Sequence, residues 1–326
     1  MKYVNLGSTG VKVSELCLGT MQFGWTANEE SSVKVMNKAW DAGINFFDTA
    51  NVYSRWSEKS YPGKTEEIIG KWLKSSGNRS DLILATKVRG SMGDGENISG
   101  LSKRHIRQQA DASLKRLQTK WIDLYQSHSA DETTPIRETL ETYTDLISEG
   151  KVNYIGASNY PAWRLMESLW VSKEYGLASY QTLQPSYSLV RRHKYEPELN
   201  QICKNYGLAV IPYSPLAAGF LTGKYKKDGD LPSSDRASSV QTRFFNERGW
   251  KILSELETVS KEKGISIAQG ALAWVMHQDT ITSPIIGANT VEQLDEILVA
   301  TDITFSQDEL KRLDEVSTVE TNMLIN

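Results

Sequence analysis

Four residues in the first half of the chain could together move a proton to a carbonyl oxygen: Asp48, Tyr53, Lys87 and His128. A tyrosine with a reference pKa of about 10 is a poor acid at neutral pH, but a lysine ammonium beside it favours the phenolate and lowers that pKa. An aspartate beside the lysine would keep the lysine charged and oriented. A histidine at hydrogen-bond distance could orient the carbonyl oxygen or help to relay the proton. The set predicts a proton donor held against a polarised carbonyl group.

Each of these residues also has an ordinary structural explanation. Asp48 precedes Thr49 and could cap a helix, and Tyr53 is one of 14 tyrosines. Lys87 ends an apolar run, where a lysine near the protein interior needs a partner. His128 is one of four histidines and, taken alone, is more typical of a structural residue than of a catalyst. We favour the functional interpretation for the four residues as a set.

Short apolar segments alternate with amphipathic segments along the chain, which predicts strands alternating with helices. A hairpin comes first, from residues 3–6 and 11–13 around turn residues 7–10. The predicted strands are 16–18, 45–47, 82–86, 122–126, 152–157, 180–183, 208–212 and 282–286. The predicted helices are 29–41, 64–74, 103–117, 135–148, 163–174, 198–206 and 307–316. Eight strands in a repeat of one strand and one helix indicate an α/β fold of the (β/α)8 TIM barrel type.

The alternative architecture is a doubly wound parallel sheet, but no Gly-x-Gly-x-x-Gly motif follows the first strand. No linker or change of composition divides the chain, so we predict one domain spanning residues 1–326. Residues 214–246 have an irregular pattern that is too long for an ordinary connection. We therefore expect a long loop after the seventh strand of the barrel, of the kind that is usually functional or mobile.

In an α/β barrel the chemistry belongs to the carboxyl ends of the strands. The residues at the ends of seven predicted strands are Asp48, Lys87, His128, Ser158 with Asn159, Gln184, Tyr213 with Ser214, and Gly287. Tyr53 lies five residues beyond Asp48, in the loop of the same unit. We expect all of these residues to surround one mouth of the barrel.

Charge and composition exclude several classes of protein. The chain has 37 Lys and Arg against 40 Asp and Glu, so no bulk positive field exists to hold nucleic acid or anionic lipid. No apolar run approaches the roughly 20 residues of a membrane span. The two cysteines, Cys17 and Cys203, fit a reducing cytoplasm. Of the four histidines only His128 ends a predicted strand, so a metal-dependent barrel hydrolase is a remote alternative and no metal is expected.

Several segments resemble motifs of the aldo-keto reductases. Residues 43–53, GINFFDTANVY, are similar to the family motif GxNxFDTAxxY, and 84–88 and 123–128 resemble its lysine and histidine strands. Further similar segments are 156–159, 213–216 and 286–288, so the resemblance covers essentially the whole chain. Residues 214–225 with 236–238 resemble the bacterial and archaeal branch related to the β subunits of voltage-gated potassium channels.

The resemblance implies NADP (NADPH) as cofactor. Tyr213 would stack on the nicotinamide, and Ser158, Asn159 and Gln184 would hold its carboxamide. The residues implied along the rest of the cofactor are Gly19, Thr20 and Asp48 at the ring and ribose; Ser214, Pro215, Leu216, Ala217 and Gly219 at the pyrophosphate; Lys224 and Arg236 at the phosphates; and Gly287, Ala288, Asn289, Gln293 and Glu296 at the adenosine end. Members that prefer NADPH often carry Lys or Arg where this chain has Gly287–Asn289 or Gln293, so NAD remains an alternative.

The implied reaction is hydride transfer to an aldehyde or ketone, with Tyr53 as proton donor, Lys87 and His128 stabilising the developing charge, and Asp48 serving Lys87. The channel subunits carry a different residue at the position of His128, which favours an enzyme over the alternative of a cofactor-binding redox sensor with little turnover. The resemblance leaves open a homo-oligomer.

The expected substrate is a small carbonyl compound. The residues predicted to line its pocket are Trp25, Trp56, Tyr61 and Arg89. The aromatic side chains favour an apolar or ring-bearing compound. Arg55 and Arg89 raise a second possibility, a phosphorylated or acidic sugar aldehyde, although either arginine alone is more typical of a surface charge.

Overall fold

A computed structural model of the chain describes residues 1–58, 60–234 and 236–319, so the predicted domain extends at its C-terminal end beyond the described residues. Within this part, the hairpin of β1 (Tyr3–Asn5) and β2 (Lys12–Ser14) precedes eight parallel strands. The parallel strands are β3 (Cys17–Gly19), β4 (Phe46–Asp48), β5 (Ile83–Val88), β6 (Ile122–Ser127), β7 (Val152–Ser158), β8 (Tyr180–Gln184), β9 (Ala209–Val210) and β10 (Ile285–Ile286).

The parallel strands follow chain order from β3 to β9, and β10 returns to pair with β3. Isolated bridges between Val210 and Ile281 and between Tyr213 and Ile285 join the remaining two edges. The predicted (β/α)8 barrel with its N-terminal hairpin is therefore confirmed. Apolar side chains fill the interior and its hairpin end: Leu6, Val13, Cys17, Phe46, Ala85, Leu124, Ala209, Ile211 and Ile285.

The helices predicted from periodicity all form, and each of their ends lies within two residues of its predicted position. They are α1 (Glu29–Asp41), α2 (Lys64–Ser76), α3 (Lys103–Arg116), α4 (Ile136–Ser148), α5 (Ala162–Tyr175), α6 (Leu199–Tyr206) and, near the C-terminus, α11 (Gln307–Ser317). Side-chain caps fix several starts, since Asn28, Ser102 and Ser306 each accept a hydrogen bond from a backbone N–H three residues further on.

The prediction of one irregular segment from 214 to 246 was wrong in part. It contains a 3-10 segment, Ala217–Thr222, and the helix α7 (Ala237–Phe244). The buried residues of α7 are Ala237, Val240 and Phe244, and the Phe244 ring stacks on Phe220 with 5.4 Å between centroids. This packing partner comes from 24 residues earlier in the chain, so the local pattern carried too little signal to show the helix.

Three more helices complete the fold: α8 (Glu247–Lys263), α9 (Ile267–Met276) and α10 (Val291–Leu298). The expectation of one helix after each strand is therefore incomplete, because α7, α8 and α9 all lie between β9 and β10. Most residues of α9 are buried, so its sequence is apolar all round and lacks the alternation of faces that reveals a surface helix.

The last two barrel strands are shorter than predicted because prolines interrupt them. Pro212 follows β9 and Pro284 precedes β10, and a proline has no N–H to donate to a strand ladder. The opposite end of the barrel is covered by the hairpin turn, where Gly7 has φ +61° and a Cβ would lie 2.8 Å from the backbone of Ala209. None of the helices in the described part of the chain is long and apolar enough to cross a membrane.

Candidate active site

The centre of the site is the side chain of Lys87, which is fully buried on β5. Its Nζ donates three hydrogen bonds: to Asp48 Oδ2 at 2.5 Å, to the carbonyl oxygen of Thr49 at 2.9 Å and to Tyr53 Oη at 2.8 Å. An ammonium group has three protons, so all of them are used. Because Tyr53 accepts from Lys87, the phenol's own proton is left to donate to another acceptor.

The charge states of this group follow from burial and contacts. Burial lowers the pKa of Lys87, but Asp48 and Tyr53 outweigh burial, so that its pKa is raised and the ammonium stays charged. Burial raises the pKa of Tyr53 to about 12, against the lowering effect of Lys87. The expected lowering effect of Lys87 is present, but desolvation of the phenolate is larger, so the net pKa of Tyr53 is raised.

Two glutamine amides hold the other oxygen of Asp48. Gln126 Nε2 donates to Asp48 Oδ1 at 3.0 Å, and Gln184 Nε2 donates to the same oxygen at 2.9 Å and to Gln126 Oε1 at 3.1 Å. Gln126, on β6, lies opposite Lys87 in the sheet register and was not predicted as a site residue. The sequence signal that could have found Gln126 is a polar residue two positions before His128, in a strand that is buried along its whole length.

His128 lies directly after β6, and its backbone N–H donates to the carbonyl oxygen of Val88 at 2.9 Å. Its ring centroid is 5.9 Å from that of Tyr53. Burial lowers the pKa of His128 to about 3, and the cations Lys87, Arg89 and Arg55 act in the same direction. The imidazole is therefore neutral near pH 7, and a neutral imidazole carries one N–H that can donate to an oxygen.

Aromatic side chains continue from Tyr53 along one side of the mouth. Trp56 lies 6.0 Å from Tyr53 between ring centroids, and Trp25 lies 5.5 Å from Trp56 in an edge-on contact. The guanidinium of Arg236, from the long loop after β9, lies 5.0 Å from the Trp25 ring. The described contacts of Tyr61, in contrast, are with Glu67 and Lys64 rather than with these rings.

On the other side of the mouth, polar side chains link the ends of several strands. Tyr213 Oη donates to Asn159 Oδ1 at 2.8 Å, and Asn159 Nδ2 donates to the carbonyl oxygen of His128 at 3.0 Å. Asn159 Nδ2 also donates to Ser158 Oγ, which in turn donates to the backbone of Gln184. The structure thus brings these predicted residues together with the Lys87 centre.

The segment after β9 has an unusual backbone. Ser214, Ala217 and Ala218 adopt φ values of 59°, 50° and 56°, and Gly219 has φ +95°. Left-handed residues other than glycine are uncommon and cluster at functional sites. Pro215 and Leu216 lie within the same turn. Lys224 lies against it, since a Cβ on Gly219 would be 3.0 Å from Lys224 Nζ.

Lys224 and Arg236 form a cationic pair beside this turn. Burial lowers the pKa of Lys224, and the neighbouring charge of Arg236 lowers it further. Because two neighbouring positive charges repel each other, an anion bound beside them would be stabilised.

The segment after β10 is tied to the loop that follows β3. Gln22 Nε2 donates to the carbonyl oxygens of Gly19 and Ala288, and Thr26 Oγ1 donates to Asn289 Oδ1 at 2.7 Å. Three more predicted residues of this region are held by hydrogen bonds. Gln293 accepts from Asn289 N, Glu296 accepts from Ser266 Oγ, and Thr20 Oγ1 donates to the backbone of Asp48. Gly287 is exposed and directly follows β10.

Comparison with known proteins decides the family. The sequence model described as the aldo/keto reductase family matches residues 15–318. The chain belongs to the aldo/keto reductase family. The resemblance inferred from its motifs, including the relation to channel β subunits, is confirmed.

Similar aldo/keto reductase relatives cover nearly the whole chain. The uncharacterized oxidoreductase YrpG of Bacillus subtilis (strain 168) is 39% identical over 97% of this chain and 96% of its own length. A probable voltage-gated potassium channel subunit beta of Oryza sativa subsp. japonica is 34% identical over 93% and 92%. The versiconal hemiacetal acetate reductase of Aspergillus parasiticus is 33% identical over 97% and 96%. Family and relatives support a carbonyl-reducing oxidoreductase.

Proposed function

We propose that this aldo/keto reductase is an NAD(P)H-dependent reductase of aldehydes or ketones and that Tyr53 is its proton donor. The observation that carries the proposal is the 2.8 Å hydrogen bond in which Lys87 donates to Tyr53, leaving the phenol proton for a substrate oxygen. The high pKa of Tyr53, about 12, keeps that proton in place at neutral pH. A small-molecule carbonyl compound is the expected partner of the site.

The residues of the second half of the chain fit a nicotinamide dinucleotide. The left-handed turn from Ser214 to Gly219, with Lys224 and Arg236 beside it, suits a pyrophosphate because backbone N–H groups and cations stabilise its oxygens. Tyr213 offers a ring face, and Asn159 offers an amide, for the nicotinamide end. A bound reduced cofactor would supply the hydride for the reaction.

The adenosine end suits NADPH less clearly. Asn289 and Gln293 can donate hydrogen bonds to a 2′-phosphate but cannot neutralise its charge. We propose NADPH as the preferred cofactor, as the motif resemblance implies, and keep NADH as an accepted alternative, because Lys224 and Arg236 lie beside the turn proposed for the pyrophosphate that both cofactors carry.

The chain's own residues then have separate roles. Tyr53 donates its proton to the carbonyl oxygen, and charged Lys87 stabilises the phenolate left behind. Neutral His128 donates its N–H to the same oxygen, so two donors stabilise the charge that develops there. Asp48 holds Lys87 in place and keeps it charged.

The test removes only the phenol hydroxyl. Tyr53→Phe should lower kcat for an aromatic aldehyde by about 10²–10⁴-fold, since general acid catalysis contributes about that much. Cofactor affinity, measured from quenching of tryptophan fluorescence by NADPH and NADH, should stay within a factor of about three, because the phosphate-facing residues are unchanged. Near wild-type turnover by the variant would show that the proton comes from another group.

The relation to a potassium channel β subunit supports a second function, a redox sensor that binds cofactor with little turnover. Tight NADPH binding without oxidation of the cofactor by any aldehyde in the same assay would favour that function. In either case we place the protein in the cytoplasm, where the two buried free cysteines, Cys17 and Cys203, stay reduced. Self-association is compatible with both.

A further inference from the structure

Two arginines lie at the mouth beside the proton donor. Arg55 follows Tyr53 by two residues, in the turn whose next residue, Trp56, faces the Tyr53 ring at 6.0 Å. Arg89 follows Lys87 by two residues and is adjacent to Val88, whose carbonyl oxygen accepts from the backbone of His128 at 2.9 Å. Both side chains are exposed, and their charges add to the effects of burial and Lys87 in lowering the pKa of His128.

Neither arginine has a counter-charge in the described part of the chain. Within residues 1–58, 60–234 and 236–319, neither forms an ion pair or a side-chain hydrogen bond, whereas the exposed Arg137 pairs with Glu141 and the half-buried Arg107 pairs with Glu149. Glu58, Asp94 and Glu96 lie in the same two loops, but none of them pairs with Arg55 or Arg89. The mouth next to Tyr53 is thus positive.

The backbone of Arg89 adds an independent observation. Its φ is +144°, a value that favours glycine, and a hydrogen bond from Gly100 N to the Arg89 carbonyl oxygen at 2.8 Å holds it there. A residue kept in such a conformation is strained, and strain of this kind persists where the surroundings impose it, typically at functional sites. If this position only had to turn the backbone, a glycine would adopt the same φ without strain.

We propose that Arg55 and Arg89 form an anion subsite, and that the substrates are small aldehydes or ketones carrying a carboxylate or a phosphate near the carbonyl group. The anion binds the two guanidinium groups, which match the oxygens of either group and form charge-assisted hydrogen bonds. The carbonyl oxygen then lies between Tyr53 and His128. This proposal rests on the reductase function proposed above.

The test compares matched substrates. The purified protein with NADPH is assayed with benzaldehyde, 4-carboxybenzaldehyde and its methyl ester, and with glyceraldehyde and glyceraldehyde 3-phosphate. Wild type should show kcat/KM at least about tenfold higher for the charged member of one pair, and that advantage should shrink as salt rises. The two pairs separate carboxylate recognition from phosphate recognition.

The variants are Arg55→Met, Arg89→Gly and the double variant. Arg89→Gly suits the observed backbone, so a folding defect does not complicate its interpretation. Each variant should lower kcat/KM for the charged aldehyde about tenfold, while kcat/KM for the uncharged aldehyde should stay within about threefold of the wild-type value. Lys120→Met is the matched control, because this exposed cation precedes β6 at the opposite end of the barrel and its loss should change neither value.

Equal efficiency on charged and uncharged aldehydes, unaffected by the arginine variants, overturns the anion subsite but leaves the reductase function standing. If no aldehyde is turned over, calorimetric titration of benzoate and inorganic phosphate into the NADP⁺-loaded protein still tests whether the anion subsite exists. Binding that is lost in the double variant and kept in Lys120→Met supports the subsite, and binding that is absent or unchanged in the double variant refutes it.

Discussion

Lys87 has no freedom in its charge state or its direction. It is fully buried, and its three protons go to a carboxylate, a carbonyl oxygen and a phenol. A buried ammonium is costly unless it is paired and hydrogen-bonded, and here both conditions are met. Because the Tyr53 oxygen accepts a hydrogen bond from Lys87, the phenol proton points away from Lys87.

Gln126 gives a prediction at the scale of single residues. Gln126→Leu removes a hydrogen bond to charged Asp48 and should lower kcat about 10–100-fold with little change in cofactor affinity. Gln126→Glu should differ, because a protonated glutamic acid can donate to Asp48 and an ionised one repels it. The kcat of the Gln126→Glu variant, measured from acid to neutral pH, should therefore fall as pH rises.

The charged or titratable groups around Asp48 and position 126 are Lys87, Tyr53, His128 and Cys17. Lys87 donates to Asp48 but already uses all three of its protons, so it cannot replace the lost donor at high pH. The Leu variant serves as the control, because its loss should not depend on pH in this way. If both variants are equally impaired at every pH, Gln126 fills space rather than positioning Asp48.

The turn after β9 has the backbone conformation on which the proposed phosphate site depends. Gly219 has φ +95°, where a β-branched residue is a genuine outlier, and a Cβ there would come within 3.0 Å of Lys224 Nζ. Gly219→Val should therefore displace both the turn and Lys224. NADPH affinity, measured by fluorescence quenching, should fall at least about tenfold, as expected when a charge-assisted contact is lost.

Ala218→Gly is the matched control for this element. Ala218 also has a positive φ, 56°, which glycine adopts without strain. The Ala218→Gly protein should bind NADPH as tightly as wild type. Equal affinities for the Val and Gly variants would mean that this turn does not hold the phosphates.

At the scale of the whole molecule, Asp131 joins the loops that lead into α3 and α4. Its Oδ2 accepts from Leu101 N at 2.7 Å, and its Oδ1 accepts from Thr133 N at 3.0 Å. Burial raises the pKa of Asp131, but hydrogen bonds from Thr133, Leu101 and Thr134 outweigh it and lower the pKa to about 2. Because the folded pKa lies below the unfolded value of 3.8, the carboxylate stabilises the fold above pH 3.8, and this stabilisation is lost as pH falls towards 2.

Asp131→Asn should lower the free energy of unfolding by about 2 kcal/mol near pH 7, since one pKa unit corresponds to about 1.4 kcal/mol. Urea unfolding should show the difference from wild type shrinking as pH falls from 5 towards 2. Asp228→Asn, at an exposed position, should change stability little at either pH. A constant difference across pH would show that the lost packing, not the charge, matters.

The barrel, its hairpin and the proximity of Asp48, Tyr53 and Lys87 could all be predicted from sequence. Strand and helix periodicities are local, and the segments around Asp48 and Lys87 are short motifs whose residue types state their chemistry. The seven predicted helices, such as α1, begin and end within two residues of their predicted positions. Helices α7, α8 and α9 were not predicted. Helix α7 depends on a distant packing partner, and α9 is buried on all sides.

Tertiary structure alone decided the rest of the site. The net rise of the Tyr53 pKa, the neutral state of His128 and the hold of Gln126 on Asp48 depend on burial and on distances between separate strands. The same holds for the contact of Arg236 with Trp25 across the mouth. A sequence shows which charged groups and hydrogen-bond donors are present. Closure of the barrel determines which of these groups are buried away from water and which of them come into contact, and burial and contact set their pKa values.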